Sequence, residues 1–272
     1  MGHVARAIAR LARYDRFPVR GDPLAARHQG LDFRSDPTFG HTLMTMNVES
    51  RDSVSLKPAE LDEFSQLLTS NGLALNDAQL DLQVEAFPLA VVAMLDSEVQ
   101  GLMLGSLERI GGTPAILWGL GVARKGKHGP AALKAMTGEL SRRAAISFPD
   151  EDVLVATRLS QPSCYTLLSS YANLVPRPGY VANGEDRAWG RRLAKRFGID
   201  ANHFDDRGFT VAVKSRKPTC VPILDASAVK ATGGAKVVSL VGELDATRGK
   251  AMIAFGWAVA EELAAGSYVA AC

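Results

Sequence analysis

Between Phe87 and Val122 the chain offers three apolar runs in close succession, separated by two turns that few residue types can make. The first run, Phe87 to Leu95, ends in Asp96-Ser97-Glu98. The second, Val99 to Glu108, ends at Ile110-Gly111-Gly112-Thr113, and the third spans Ala115 to Val122. Apolar runs of strand length joined by tight turns define an antiparallel meander. Their unbroken apolar character predicts cover on both faces of the sheet. Gly101 and Gly105, inside the second run, mark a bulge or a close backbone approach.

Helical patterns flank this meander. Pro58 to Ser70 carries Leu61, Phe64, Leu67 and Leu68 at helical spacing, with proline at the first position and Asn71-Gly72 as a stop. A second helix begins at the cap Asn76 and holds Leu80, Leu82 and Val84. After the meander a helix from Pro130 to about Ile146 presents Leu133, Met136, Leu140 and Ala144 on one face. Asp152 to Thr157 reads as a short buried strand, Pro162 to Ala172 as a helix, and Asp186 to Phe197 as an amphipathic helix. Phe209 to Val213 is expected to be the strand that closes the sheet. Beyond Ser215 residues 236–241 look like a strand and Arg248 to Ala264 like a helix. These readings divide the chain into an N-terminal arm (1–44), a main domain (45–214) and a small C-terminal appendage (215–272).

Charge and cysteine content exclude several classes. A formal net charge of +2 over 272 residues argues against nucleic-acid binding by bulk charge alone. Cys164, Cys220 and Cys272 are too few and too scattered for a disulfide framework, and none forms a C-x-x-C pair. No metal site is expected, and a reducing, cytoplasmic compartment fits. The most apolar stretch, Ala251 to Ala265, is broken by Glu261 and Glu262 and is too short for a bilayer, so no membrane association is expected. Arg6, Arg10 and Arg13 with Ile8 and Leu11 resemble a basic amphipathic presequence. The continuous apolar run of a signal peptide is missing, which leaves a surface helix or a disordered arm.

The unit that carries chemistry is strand, basic glycine loop, helix: Leu117 to Val122, then Arg124-Lys125-Gly126-Lys127-His128-Gly129, then the helix opened by Pro130. A helix start exposes unpaired N–H groups and the positive end of the macrodipole, and glycine lets phosphate oxygens come close. No Gly-Lys-Ser/Thr ends the loop, so it is not a P-loop. No Gly-x-Gly-x-x-Gly follows a first strand either, which argues against a Rossmann site.

This loop resembles the acetyl-CoA signature of the GNAT (GCN5-related N-acetyltransferase) superfamily, Arg/Gln-x-x-Gly-x-Gly/Ala. Arg124 and Gly129 fall on its first and last positions. Lys127 replaces the middle glycine, with Gly126 one place earlier. The order of elements over residues 45–213 also follows that family, as a divergent member would. The resemblance implies an α/β domain with a mixed, mostly antiparallel sheet flanked by helices. It implies acyl-CoA, for instance acetyl-CoA, as co-substrate, with its pyrophosphate on residues Arg124, Lys125, Gly126, Lys127, His128 and Gly129. The pantetheine arm would lie against the backbone of Leu120 and Val122, where the third meander strand splays from the Asp152–Thr157 strand. The implied activity is acyl transfer to an amine on a small molecule or a protein.

The family's catalytic groups do not transfer by position. The strand before the loop has no carboxylate, and Leu168 stands where the family's tyrosine is usual. Tyr165 and Tyr171, three residues to either side, are the candidate acids. Glu108 through water, His128, and Cys164 as an acyl relay are further candidates. Trp118 and Trp189 are candidates to line an acceptor pocket. Arg177, Arg187, Arg191 and Arg192 form a possible docking group. Two rival readings stand beside the enzyme: a GNAT-like domain that only binds or assembles, and an acyl or aminoacyl transferase acting on nucleic acid or a carrier. Ile253, Phe255 and Trp257 are candidates for a subunit contact in a homo-oligomer.

Overall fold

Local sequence chemistry accounts for most of the elements in the computed structural model, which describes residues 46–268. The N-terminal arm and Cys272 lie outside the described residues. Strand β1 (Asn47–Asp52) precedes helix α1 (Pro58–Ser70), whose start is fixed by Pro58 and by the Glu60 carboxylate accepting the Lys57 N–H at 2.8 Å. Phe64, Leu67 and Leu68 make its buried face. Helix α2 (Asp77–Ala86) opens with a reciprocal cap: the Asn76 side chain accepts the Gln79 N–H at 2.9 Å, and the Gln79 side chain accepts the Asn76 N–H at 3.0 Å.

The meander is present as expected, in strands β2 (Leu89–Leu95), β3 (Glu98–Ile110) and β4 (Thr113–Ala123), each antiparallel to the next. β1 pairs with the outer edge of β2. Helix α3 (Gly129–Ser147) covers one face of this sheet. Both meander glycines serve that contact. A Cβ at Gly101 would stand 2.7 Å from the Met136 side chain, and one at Gly105 would stand 2.9 Å from that of Leu140. The register also shifts between Met103 and Gly105, so the bulge and the close approach occur together.

After α3 the chain returns as β5 (Val153–Leu159), parallel to β4, and then forms helix α4 (Pro162–Leu168), strand β6 (Ala172–Val175) and helix α5 (Gly184–Arg196). Strands β7 (Phe204–Asp205) and β8 (Thr210–Ala212) follow, then helix α6 (Gly234–Val241), strand β9 (Lys250–Ala258) and helix α7 (Ala260–Ala264). The sheet runs β1-β2-β3-β4-β5-β9-β8-β7, with β6 also paired to β9. It is a mixed, largely antiparallel open sheet flanked by helices, as the resemblance implied.

The C-terminal expectations are corrected. Residues 236–241 are helical, because Val237 and Val241, four apart, are the buried pair while Val238 is exposed. The Arg248 to Ala264 stretch is mainly the strand β9. Its run Ala251 to Phe255 is buried at every position, and such a run has no polar side to set a helical or a strand period. β9 lies between β5 and β8, antiparallel to both. The segment after Ser215 is therefore no appendage but supplies an interior strand, and the described residues form one unit. Phe209 to Val213 does not close the sheet, since β7 lies outside β8. The Pro162 helix is shorter than expected and gives way to β6. Phe255, expected at a subunit contact, is buried in the core.

Candidate functional site

β4 and β5 pair only from Ala115 opposite Leu154 to Trp118 opposite Thr157. There the Thr157 hydroxyl donates to the Trp118 carbonyl at 2.9 Å, and beyond it the two strands part. β4 continues along β3 into the Arg124–Gly129 loop, which turns through Gly126 at φ +133° into α3. The start of α3 is tight. A Cβ on Gly129 would fall 2.2 Å from the Arg124 carbonyl oxygen and 2.7 Å from the Ala228 side chain. Gly129→Ala must displace both of them. The expected result is a lower urea midpoint, by about 1–3 kcal/mol, the usual size of an overpacking penalty. An unchanged midpoint would mean that the loop yields freely.

The fork between the strands is filled by the chain itself. Segment Val221–Ala228 runs into it, with Ile223, Leu224, Asp225 and Ala226 each no more than 1% exposed. The Gly121 N–H donates to the Ile223 carbonyl at 3.4 Å, and the Asp225 N–H donates to the Gly121 carbonyl at 2.7 Å. On the other arm, the Leu224 N–H donates to the Arg158 carbonyl at 3.2 Å. The Ala226 N–H donates to the Gln161 side-chain oxygen at 3.1 Å, and the Ser227 hydroxyl donates to the Asn71 side-chain oxygen at 2.9 Å.

This arrangement corrects the backbone assignment within the fork. Val122 lies opposite Leu102, and the Arg124 N–H donates to the Gln100 carbonyl at 2.7 Å, so this parity of β4 addresses β3. By the alternation of a strand, Gly121 rather than Leu120 or Val122 turns its amide and carbonyl into the fork. Gly121 also makes room there: a Cβ would stand 2.9 Å from a Leu224 methyl.

The loop itself borders a second hollow of about 440 Å³, lined by Leu95, Asp96, Glu98, Gln100 and Arg124 to Gly129. Its cations are partly committed. Arg124 donates to the Val99 carbonyl at 3.1 Å and pairs with Glu63 at 3.2 Å, and Lys125 reaches the Ser70 carbonyl at 3.4 Å. Lys127 and His128 line the hollow together with Asp96 and Glu98. An anion placed here would meet few uncommitted charges beside the α3 N-terminus.

Both candidate tyrosines are packed. The Tyr165 hydroxyl donates to the Pro176 carbonyl at 3.0 Å, and burial raises its pKa. Tyr171 shares a hydrogen bond of 3.2 Å with Ser141 and stacks on Tyr268, and burial pushes its pKa up to about 12. Both Glu108 carboxylate oxygens accept from the Arg196 Nε–H, at 2.9 and 2.8 Å, which makes Glu108 a structural partner rather than a free base. The Cys164 thiol is buried, and burial, then the nearby Asp225 carboxylate, raises its pKa; a thiol held protonated is a poor nucleophile.

Trp118 is fully buried, and Trp189 meets Trp257 edge to face. The four arginines make separate contacts: Arg177 lies over Tyr180, Arg187 bonds the Asn183 carbonyl, Arg191 pairs with Asp206, and Arg192 lies over Trp189. Among the described residues no cluster of His, Cys, Asp or Glu could hold a metal, and no helix is long and apolar enough to cross a membrane.

Two features of the candidate site escaped the sequence reading. The fork-filling segment was legible only as a short apolar run, Val221-Pro222-Ile223-Leu224, in a stretch with weak periodicity. Arg158 stands one residue beyond the expected Asp152–Thr157 strand, and no sequence pattern marked it.

No family model matches this sequence, and no curated protein is similar to it. Among solved structures, it is similar to the aminoglycoside 6'-N-acetyltransferase from Enterococcus faecium, at 16% identity over 46% of this chain and 74% of that one, with a TM-score of 0.34. A GNAT family acetyltransferase from Brucella melitensis in complex with acetyl-CoA is similar at 18% identity, over 40% of this chain and 75% of the other, with a TM-score of 0.28. A conserved protein of unknown function from Enterococcus faecalis V583, described as a probable N-acyltransferase, is similar at 10% identity, over 60% of this chain and 45% of its own length, with a TM-score of 0.31.

Proposed function

We propose that the chain is an acyltransferase-type domain whose acyl-CoA site is the β4/β5 fork, closed by residues 221–228 in the conformation described above. One observation carries this reading: the fork takes an extended, amide-bearing chain and hydrogen-bonds it through both backbone groups of Gly121. The pantetheine arm of coenzyme A is such a chain, and the fork leads on to the glycine loop at the start of α3. The reaction would be acyl transfer to an amine. The amine nitrogen bonds the thioester carbonyl carbon, the C–S bond breaks, and the proton shed by nitrogen returns to the departing thiolate. The acceptor would be an amine on a small molecule or a protein.

The closing segment sets the expected affinity. Lifting it re-exposes Ile223 and Leu224 at about 1.5–3 kcal/mol each, which would weaken apparent binding by roughly two to four orders of magnitude. Calorimetric titration with acetyl-CoA and free coenzyme A, beside an Arg124→Glu, Lys127→Glu variant, tests the proposal. Weak binding, roughly millimolar for an intrinsically micromolar site, is expected in the natural chain and none in the variant. Equal heats in both would place any binding elsewhere.

A second reading is favoured by the same hydrogen bonds and by the packed tyrosines: a domain that binds or assembles without catalysis, its own backbone standing permanently in place of the coenzyme. Absence of binding even when the segment is loosened would select it.

A further inference from the structure

We propose that a separate cavity of about 330 Å³ beside Arg158 binds a small organic carboxylate with an apolar body. Arg158 is 3% exposed, and it lines this cavity with Gln83, Phe197, Val211, Val213 and Val221. Its guanidinium donates to the Gln83 side-chain oxygen at 3.0 Å and lies 4.9 Å from the Phe197 ring centre and 5.6 Å from that of Phe87. Its Nε has no hydrogen-bond partner, and among the described residues no carboxylate pairs with it. The charge that acts on it is another cation, Arg196, whose own carboxylate is Glu108.

A buried charge is ordinarily paired, because removing it from water costs several kcal/mol even after relaxation. Here burial, and then repulsion from Arg196, depress the guanidinium to about 9. The chain therefore holds a desolvated cation without a counter-charge in the wall of a mainly apolar hollow, whose lining also includes His203 and Asp200, the latter's carboxylate already accepting from the Asn202 N–H and side-chain amide. A monoanion supplies the missing partner, and the planar guanidinium fork fits a carboxylate. The volume lies at the small end of ligand pockets, roughly 300–1,000 Å³. The apolar lining selects a ligand with a hydrocarbon or aromatic body over a bare inorganic anion.

This site does not depend on acyl transfer, and its test needs no coenzyme. Octanoate and 3-phenylpropionate are titrated into the full chain beside octanamide and 3-phenylpropanamide, with calorimetry and thermal shift as readouts. The expected result is saturable binding of one or both carboxylates, at least tenfold tighter than the matching amides. Arg158→Met should keep the fold, since replacing an unpaired buried ion with an apolar side chain is commonly neutral or stabilising. It should also lose the preference for carboxylate. Val213→Trp fills the cavity without touching Arg158 and should weaken acid and amide alike. Equal binding of acids and amides, unaltered acid binding in folded Arg158→Met, or no binding of either acid up to millimolar concentration would overturn the proposal.

Discussion

A chain ending at residue 213 is expected to lose cooperative unfolding altogether. The cut removes β9, which joins β5 to β8 and carries the pairing of β6, so the sheet is severed between its larger part and its far edge. It also removes the segment that fills the β4/β5 fork, leaving buried apolar surface on both sides. The point variant Phe255→Ala tests the same dependence less drastically. Phe255 is 1% exposed and its ring lies 6.1 Å from that of Phe209, which immediately precedes the adjacent strand β8. Truncating a buried phenylalanine costs about 3–5 kcal/mol, a large share of the roughly 5–15 kcal/mol that stabilises a typical domain. Urea melts followed by circular dichroism measure both. A truncated chain that still melted with one sharp transition would restore the view of residues 215–272 as an accessory.

Loosening the fork segment should make coenzyme binding tighter, the reverse of what truncating a buried leucine usually does to a ligand site. If coenzyme and segment compete for the fork, any change that weakens the segment's hold lowers the opening cost and raises the open fraction. Leu224→Ala removes the side chain that packs on Gly121 and weakens closure by about 2–5 kcal/mol, so apparent affinity for acetyl-CoA should rise at least about tenfold. Ile223→Val, at about 0.5–1.5 kcal/mol, should give a smaller gain in the same direction. Calorimetry on the folded variants, with melting curves as controls, measures the order. Unchanged or falling affinity across the series would defeat competition at the fork and leave the non-catalytic reading.

The meander, both flanking caps and the glycine-led start of α3 were legible because each rests on contacts close in sequence. Asp96-Ser97 and Gly111-Gly112 adopt the positive φ values that their turns need, between 50° and 91°. Asn76 caps the helix that follows it. The two meander glycines announced a close approach, although which helix would fill it was decided by α3 returning across the sheet. The loop residues were likewise found by their pattern, and they do lie together at one helix start.

The candidate tyrosines show where that legibility ended. Sequence placed Tyr165 and Tyr171 on either side of Leu168, but only the fold shows one hydroxyl spent on the Pro176 carbonyl and the other on Ser141. Arg158 is the converse case, a charge whose meaning came entirely from what surrounds it.

The sequence by itself determined the local elements from Asn76 to Ser147, the turns between them and the gathering of Arg124 to Gly129 at one helix start. Only the tertiary structure decided that the uniformly apolar run Ala251 to Phe255 is an interior strand, and that Val221–Ala228 occupies the fork. Both outcomes depend on partners distant in the chain. A run buried on every side carries no period, and a strand's place in a sheet is set by which edges other strands leave unpaired.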